Sequence, residues 1–183
     1  MKLHVGCSTV AISGYTNIDI RFLPHVDVVD NAEYLRQFEG KNNSDIYVCH
    51  VLEHFCRWRI PAVLSRWFDL LQPGGKLFLS VPDFEAVVDY YTKTKDLPSL
   101  MGLLYGGQDY AENFHCTCWD FSAMKSALEK AGFMEISRYN WKEYFNGFDD
   151  YSKCYLPHMD IENGMLMSLN VMASKPITPE KIK

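Results

Sequence analysis

Two stretches of the sequence place histidines, acids and thiols at spacings that serve known chemistry. The first, His50-Val51-Leu52-Glu53-His54, has the H-x-x-E-H pattern of inverted zinc peptidases, in which two histidines bind zinc and the glutamate is the base. That chemistry needs the motif inside a helix and a third ligand downstream. Here the motif continues directly from an apolar run, and the strong helix pattern nearby begins only at Pro61. We therefore disfavour a zinc hydrolase and expect no metal site.

The second stretch is His115-Cys116-Thr117-Cys118, which lies in a segment rich in glycine and tyrosine. Two cysteines one residue apart, without a second pair, are a weak signal for metal binding. A histidine in such a segment can also act as a general base. The residues alone leave open a base, a metal ligand and an ordinary surface histidine.

A glycine turn near the N-terminus indicates a cofactor site. A short apolar strand runs into Gly6-Cys7-Ser8, and a second short strand ends on Asp19. The glycine lets the backbone approach a ligand, and an acid at the tip of the next strand can accept both hydroxyls of a ribose. Only the first glycine of G-x-G-x-x-G is present, and no helix of useful length fits before Asp19, so a diphosphate site is poorly supported. The pattern favours an adenosine-type cofactor that lacks a diphosphate.

Polar residues also end other predicted strands. Asp19, Asp30 and His50 each follow a short apolar or β-branched run. In an open α/β sheet, ligands bind outside the carboxyl ends of the strands. We expect these three side chains to border one binding edge.

The predicted elements alternate in the manner of an α/β protein. Strands are predicted at 3–5, 15–18, 26–29, 45–51, 76–81, 133–139 and 166–174, and helices at 32–38, 61–71, 85–93 and 122–131. Asn31 and Asp83 are the expected caps of the first and third helices. This order predicts a three-layer α/β fold. We expect one domain over residues 1–175, with acceptor-side insertions at 97–118 and 140–165, and a flexible tail at 176–183.

Composition narrows the class of protein. The chain has 183 residues, of which 48% are hydrophobic and 22% charged, as is usual for a globular protein. A net charge of −5 without a basic cluster argues against nucleic-acid binding. The sequence shows no signal-peptide pattern and no apolar stretch long enough to span a membrane. The six irregularly spaced cysteines suggest reduced thiols, so we expect a cytoplasmic protein.

Several sequence motifs, taken in their order along the chain, resemble those of the class I S-adenosylmethionine-dependent methyltransferases. Within that family the chain resembles a compact group associated with glycan and polysaccharide biosynthesis. The motifs cover nearly the whole chain: LHVGCS…GYTNIDI, VDVVDN, SDIYVCHVLEHF, LLQPGGKLFLSVPDF, HCTCWDFSAMKSALEKAGF and SLNVMASKP. The resemblance implies a Rossmann-like sheet of about seven strands, mostly parallel, with an antiparallel last strand inserted beside the fifth. It also implies S-adenosylmethionine as cofactor and S-adenosylhomocysteine as product.

The resemblance assigns residues to the cofactor, with the glycine turn under the methionine part, Asp19 on the ribose and the Asp30-Asn31 pair beside the adenine. The expected cofactor-binding residues are Gly6, Cys7, Ser8, Asp19, Ile20, Asp30, Asn31, His50, Val51 and Leu52. Glu53 and His54 would lie near the reaction centre. Two features depart from the family pattern, because Ser8 replaces a second glycine and the helix after the turn is missing. Both predict weaker cofactor binding, or a loop at 8–14 that orders on binding.

Methyl transfer from a sulfonium is an in-line displacement, so the enzyme must align the nucleophile and remove its proton. Our hypothesis is that His115 is the general base, with Asp83 and His54 as alternates or orienting partners. The resemblance favours a sugar hydroxyl of a glycan or nucleotide-sugar as acceptor. Another small molecule, a protein acceptor and a non-catalytic cofactor-binding module remain alternatives. The oligomeric state is not encoded in any pattern we recognise.

Overall fold

In a computed structural model of the chain, residues 1–177 are described, so most of the tail expected at 176–183 lies outside the described residues. The strands are β1 Lys2–Val5, β2 Thr16–Asp19, β3 Val28–Val29, β4 Asn43–Cys49, β5 Leu71–Pro82, β6 Met134–Arg138, β7 Tyr155–Leu156, β8 Met165–Leu166 and β9 Ser168–Ser174. The α-helices are α1 Ile60–Leu70, α2 Phe84–Thr94, α3 Met101–Tyr105, α4 Phe121–Lys130 and α5 Trp141–Tyr144. Single 3-10 turns occur at Arg36–Phe38, Leu52–His54, Pro98–Leu100 and Tyr151–Lys153.

Seven strands form one sheet in the order β3-β2-β1-β4-β5-β9-β6. β9 runs antiparallel to both of its neighbours, β5 and β6, and the remaining pairs are parallel. The predicted fold class is confirmed, including the position of the antiparallel last strand beside the fifth. Chain order reverses between β1 and β4, and this switch point is where open α/β sheets bind ligands.

The two faces of the sheet have different cores, as the alternation of side chains in a strand requires. On β4, Ile46 and Val48 face a large aliphatic core under α1 and α4, whose centre is Trp67. Tyr47 and Cys49 face the opposite side, where a smaller aromatic cluster contains Trp141 and Phe145. The residues after β6 therefore cover the second face of the sheet with aromatic side chains.

The helix predicted at 32–38 is wrong, since the structure shows only the 3-10 turn Arg36–Phe38. Asn31 does cap a turn, because its side chain accepts the N–H of Glu33 at 2.8 Å. Leu35 then takes a left-handed conformation with φ of 43°, which stops helical hydrogen bonding. The Arg66 side chain donates to the carbonyl of Tyr34 at 2.6 Å, so tertiary contacts satisfy the backbone that a helix would have paired.

The strand predicted at 76–81 begins earlier in the structure, because β5 already includes Pro73-Gly74-Gly75. The N–H of Gly74 donates to the carbonyl of Lys175 at 2.9 Å, and the N–H of Lys175 donates to Gly75 at 2.8 Å. The Lys175 ammonium also donates to the carbonyl oxygens of Phe68 and Leu71 at the end of α1, at 2.8 and 2.7 Å. The chain after β9 thus fixes the junction between α1 and β5.

None of the helices in the described part of the chain is both long and apolar enough to cross a bilayer.

Candidate functional site

The turn after β1 requires a glycine. Gly6 has φ of +71°, and a Cβ built on it would lie 2.2 Å from Cγ2 of Val51. The N–H groups of Gly6 and Cys7 both donate to the carbonyl of Ile18, at 2.8 and 2.9 Å. The turn is therefore clamped between β2 and the residues that follow β4, at the predicted binding edge.

A cavity of about 280 Å³ opens beside this turn. Its lining comprises His4, Gly6, Cys7, Ser8, Thr9, Val10, Cys49, Asp149, Asp150, Tyr151, His158 and Met159. The volume is close to the lower end of the range, roughly 300 Å³ upward, that small-molecule pockets occupy. The predicted residues Gly6, Cys7 and Ser8 do line a cavity, but the acids opposite them were missed, because nothing in the sequence pairs 149–150 with residue 6.

Asp19 ends β2 as predicted, and its side chain is only 5% exposed. Its carboxylate is already engaged within the chain. Oδ2 accepts the N–H of Ser8 at 2.8 Å, and Oδ1 accepts the backbone N–H and the Nε–H of Arg21 at 2.9 and 3.1 Å. The neighbouring Ile20 is 43% exposed at the same edge. A ribose would therefore meet Asp19 only after the Arg21 side chain moves aside.

Arg21 is a site residue that the sequence analysis did not single out. Its guanidinium donates to Oγ of Ser8 at 3.1 Å and lies 4.5 Å from the centre of the Tyr110 ring. It thus links the glycine turn, the β2 acid and the segment at 97–118. The spacing of Asp19 and Arg21, two residues apart at a strand end, is the signal from which this ion pair could have been inferred.

Asp30 and Asn31 lie beside Asp19, as expected. The N–H of Asp30 donates to the backbone carbonyl of Asp19 at 3.1 Å. Oδ1 of Asp30 accepts the N–H of Asn31 at 2.8 Å, whereas Oδ2 is buried without a hydrogen-bond partner among the described residues. This oxygen is an unpaired acceptor that neighbouring groups cover near the edge of the sheet.

The H-x-x-E-H stretch does not form a helix. β4 ends at Cys49, His50 has φ of +52°, and only the 3-10 turn Leu52–His54 follows. The two histidines are therefore not presented on one helical face. Of the residues expected to line the cofactor, Leu52 is fully buried in the core, and Val51 packs against Gly6.

Tertiary contacts bring the two histidine stretches together. The backbone carbonyl of Glu53 accepts the N–H groups of Cys116 and Thr117, at 2.7 and 3.1 Å. His115 consequently lies over the turn, with its ring centre 4.8 Å from that of His54. The segment at 97–118 therefore covers both the Arg21 guanidinium, through Tyr110, and the residues after β4.

A buried carboxylate lies at the centre of this cluster. Glu53 is 0% exposed, and its Oε1 is 3.3 Å from Nδ1 of His50 and 3.9 Å from Nε2 of His115. Neither carboxylate oxygen has a hydrogen-bond partner among residues 1–177. Burial raises the pKa of Glu53 to about 8 and lowers the pKa of His50 to about 3. Burial also lowers the pKa values of His54 and His115.

Hydrogen bonds to backbone carbonyl oxygens fix the tautomers of the neutral His54 and His115 rings. Nδ1 of His115 donates to the carbonyl of Leu103 at 2.9 Å, and Nδ1 of His54 donates to that of Phe114 at 3.2 Å. Since a carbonyl only accepts, each neutral ring keeps its lone pair on Nε2. His54 and His115 therefore offer unprotonated nitrogens beside the carboxylate of Glu53.

Asp83 lies at the start of α2 and makes no contact with the histidine cluster through its side-chain hydrogen bonds. Its side chain caps α2 by accepting the N–H of Glu85 at 3.1 Å, and its Oδ2 accepts from Arg138 at 2.9 Å. Its side-chain hydrogen bonds and ion pairs within the described chain do not involve the clustered histidines. Of the three candidate catalytic residues, the structure brings together His54 and His115 only.

Comparison with known proteins gives no match to a family model and no match to a curated protein. Solved structures do match. A SAM-dependent methyltransferase from Archaeoglobus fulgidus is 15% identical, with 95% of this chain and 85% of that chain covered and a TM-score of 0.56. The methyltransferase bound to the Haloferax volcanii Trm112 activator is 11% identical, with 98% and 83% covered and a TM-score of 0.57.

Human N-acetylserotonin methyltransferase, solved in complex with SAM, is 13% identical and has a TM-score of 0.50. The alignment covers 85% of this chain but 35% of the human one, so this chain spans about a third of that protein's length. At these identities the comparison establishes the fold. The chain has the Rossmann-like α/β fold of S-adenosylmethionine-dependent methyltransferases.

Proposed function

We propose that the chain is an S-adenosylmethionine-dependent methyltransferase that methylates a hydroxyl group, with a sugar hydroxyl of a glycan or nucleotide-sugar as the acceptor. The observation that carries the proposal is the sheet edge at the β1–β4 switch point. There, a glycine turn with a cavity, an acid at the end of β2 and a cluster of two half-buried histidines around a buried carboxylate lie together on a methyltransferase fold.

The cavity suits the methionine half of the cofactor. Gly6 lets the backbone approach it without a side chain, and Asp149, which pairs with Lys153, and Asp150 also line the cavity. The ammonium and sulfonium groups of S-adenosylmethionine are cations, so nearby carboxylates would favour their binding.

The adenosine half would lie along the ends of β2 and β3. Asp19 would accept the ribose hydroxyls once Arg21 turns away, and the unpartnered Oδ2 of Asp30 would accept the exocyclic amine of adenine. Arg21 is partly exposed, so it can leave Asp19 without opening the core. Cofactor binding therefore competes with an ion pair of the free protein.

His115 is the proposed proton acceptor. Its Nδ1–H is held by the carbonyl of Leu103, which leaves Nε2 free to take the hydroxyl proton. Bound S-adenosylmethionine would supply the methyl group, which the hydroxyl oxygen would accept while the carbon–sulfur bond breaks and leaves a neutral thioether. His54, edge-on to His115, would orient the acceptor. The capping and ion-pair contacts of Asp83 favour a structural role for that residue.

Exposed aromatic rings near His115 support a sugar acceptor. Tyr105 and Phe114 are 51% and 46% exposed, and the face of such a ring stacks well against a pyranose. The buried Trp141 and Phe145, by contrast, belong to the core and would not reach an acceptor. Another small molecule or a protein side chain is the alternative acceptor for the same cluster.

Calorimetric titration with S-adenosylmethionine and S-adenosylhomocysteine tests the cofactor. The wild type should bind both, and Asp19→Asn should weaken binding at least about tenfold through loss of a charged hydrogen-bond acceptor. Asp45→Asn is the matched control, because its ion pair with Lys2 and its hydrogen bond from Ser44 lie at the opposite end of β4 from the binding edge. Arg21→Ala should bind about two- to fivefold tighter, since a part-exposed ion pair contributes about 0.4–1 kcal/mol.

A folded wild type that binds neither compound would refute the cofactor assignment. Screening of nucleotide-sugars and glycans by release of S-adenosylhomocysteine then tests the acceptor, with His115→Ala expected to lower kcat about a hundredfold or more. Cofactor binding without turnover on any hydroxyl acceptor would instead favour a non-catalytic binding module.

A further inference from the structure

We propose that Glu53, His54 and His115 form a binding site for one divalent metal ion of the zinc type. One imidazole nitrogen from each histidine and one carboxylate oxygen of Glu53 lie within 4.8 Å of one another. Two imidazoles and a carboxylate are a ligand set that Zn²⁺ and its neighbours in the first transition row accept, with a coordination position left open.

The carboxylate of Glu53, which has no hydrogen-bond partner, is the strongest indication of a cation site. Glu53 is completely buried, yet neither oxygen accepts a hydrogen bond from any described residue. A buried polar atom without a partner is costly, and a buried carboxylate normally has a cation or several N–H donors beside it. Glu53 has neither, so either a cation or a proton must lie at one of its oxygens.

The nitrogens nearest to that carboxylate present lone pairs and not N–H groups. Nε2 of His50 lies 3.1 Å from Oγ of Ser168, and this hydroxyl donates its own hydrogen to the carbonyl of Tyr151 at 2.5 Å. Nε2 of His50 must therefore be the donor, which leaves the lone pair on Nδ1, facing Glu53 at 3.3 Å. The Nε2 of His115, 3.9 Å from the same oxygen, is also unprotonated in the neutral ring. The lone pair of His50 therefore gives Glu53 no N–H donor, whereas the lone pair of His115 on the other side can share a metal ion with Oε1.

The outer contacts of the two histidine ligands favour the ion. Metal-binding histidines usually donate their second N–H to a backbone carbonyl or carboxylate, which fixes the ring and its tautomer. His115 and His54 both do so, to Leu103 and Phe114. Zinc bonds of about 2.0–2.2 Å place tetrahedral ligand atoms roughly 3.4 Å apart, so side-chain adjustments of about 1 Å or less would close the site.

This site differs from the zinc-peptidase arrangement of the H-x-x-E-H motif. His50 lies outside the ligand group and is held by Ser168, while Glu53 is a ligand and not a base. Cys116 and Cys118 are exposed and also lie outside the group. The ion would use the same lone pair of His115 as the proposed proton transfer. In a site that holds the ion, the metal and not His115 would therefore activate the acceptor hydroxyl. Metal binding itself does not depend on the methyltransferase proposal.

The test uses the full chain with its exposed cysteines replaced, Cys56→Ser, Cys116→Ser and Cys118→Ser, so that thiols cannot bind the ion. After treatment with a chelator and dialysis, the protein is titrated with Co²⁺ and its visible d–d absorption is recorded, and Zn²⁺ is titrated in competition with a chromophoric chelator. We expect one ion per chain and an increase of the thermal midpoint when Zn²⁺ is added. His54→Ala, His115→Ala and the nearly isosteric Glu53→Gln should each weaken binding about a hundredfold or more.

His158→Ala is the matched control. This exposed histidine lines the cavity beside the glycine turn and is not in the ligand group, so its replacement should leave metal binding unchanged. The proposal is overturned if the parent protein binds less than one ion per chain, or if binding survives Glu53→Gln and His115→Ala together. It is equally overturned if Glu53→Gln leaves affinity unchanged, because the carboxylate would then carry a proton and not a metal ion. If His115→Ala does not fold, Glu53→Gln and His54→Ala still decide the result.

Discussion

Gly6 allows a quantitative test of how the binding edge is built. Two costs arise if this residue becomes alanine. Its φ of +71° is a left-handed conformation that costs a residue with a Cβ about 1–2 kcal/mol. The new Cβ would also lie 2.2 Å from Cγ2 of Val51, and overpacking of this kind costs about 1–3 kcal/mol. Gly6→Ala should therefore lower the free energy of unfolding by about 2–5 kcal/mol.

A double-mutant cycle separates the two costs. Val51→Ala removes the clashing methyl group and leaves its Cβ at 3.4 Å, an ordinary contact distance. By itself it removes two half-buried methyl groups, worth at most about 1.6 kcal/mol. In the double variant the steric cost disappears but the backbone cost stays, so the double variant should be more stable than the sum of the two single variants by about 1–3 kcal/mol.

Urea unfolding followed by the fluorescence of the four tryptophans measures each free energy. Titration with S-adenosylhomocysteine under the same conditions gives the matching loss of cofactor affinity. Additive single changes, with a coupling energy below about 0.5 kcal/mol, would refute the close approach of Gly6 and Val51. A stable Gly6→Ala variant with unchanged affinity would refute the need for glycine in this turn.

Two further predictions concern residues outside the turn. Asp83→Ala removes the cap of α2 and the contact with Arg138, so unfolding should become about 1–2 kcal/mol easier while kcat stays within about twofold; a hundredfold loss of kcat at unchanged stability would return Asp83 to catalysis. Burial lowers the pKa of His4 in the folded chain, although its hydrogen bond to Asn17 opposes the shift. The unfolded chain therefore takes up a proton that folded His4 refuses, so His4 by itself should lower stability below about pH 6.5 by up to 1.4 kcal/mol per pH unit, in addition to the contributions of His50, His54 and His115. His4→Gln should reduce the slope of stability against pH in urea unfolding between pH 7.5 and 5.5, and an unaltered slope would contradict the prediction.

Local patterns in the sequence determined the sheet and its strand-end residues. Alternation along β4 separates Ile46 and Val48 from Tyr47 and Cys49, and each pair lies on its own face of the sheet. Pro61 and the apolar stripe after it predicted α1, and Asp83 predicted the start of α2. These features depend on contacts between neighbours in the chain, which periodicity and capping report directly. The sequence likewise placed Gly6, after β1, and Asp19, at the end of β2, at the same edge of the sheet.

Tertiary structure alone decided which groups meet at that edge and how their charges are satisfied. The helix predicted after Asn31 is replaced by a turn because Arg66 binds the backbone that the helix would have used. Arg21 forms an ion pair with Asp19. The backbone carbonyl of Glu53 accepts the N–H groups of Cys116 and Thr117, and these hydrogen bonds bring His115 to His54. Burial then raises the pKa of Glu53, which no local pattern reports. Long-range backbone contacts and loss of solvent set these outcomes, and neither is encoded in the spacing of residues along the chain.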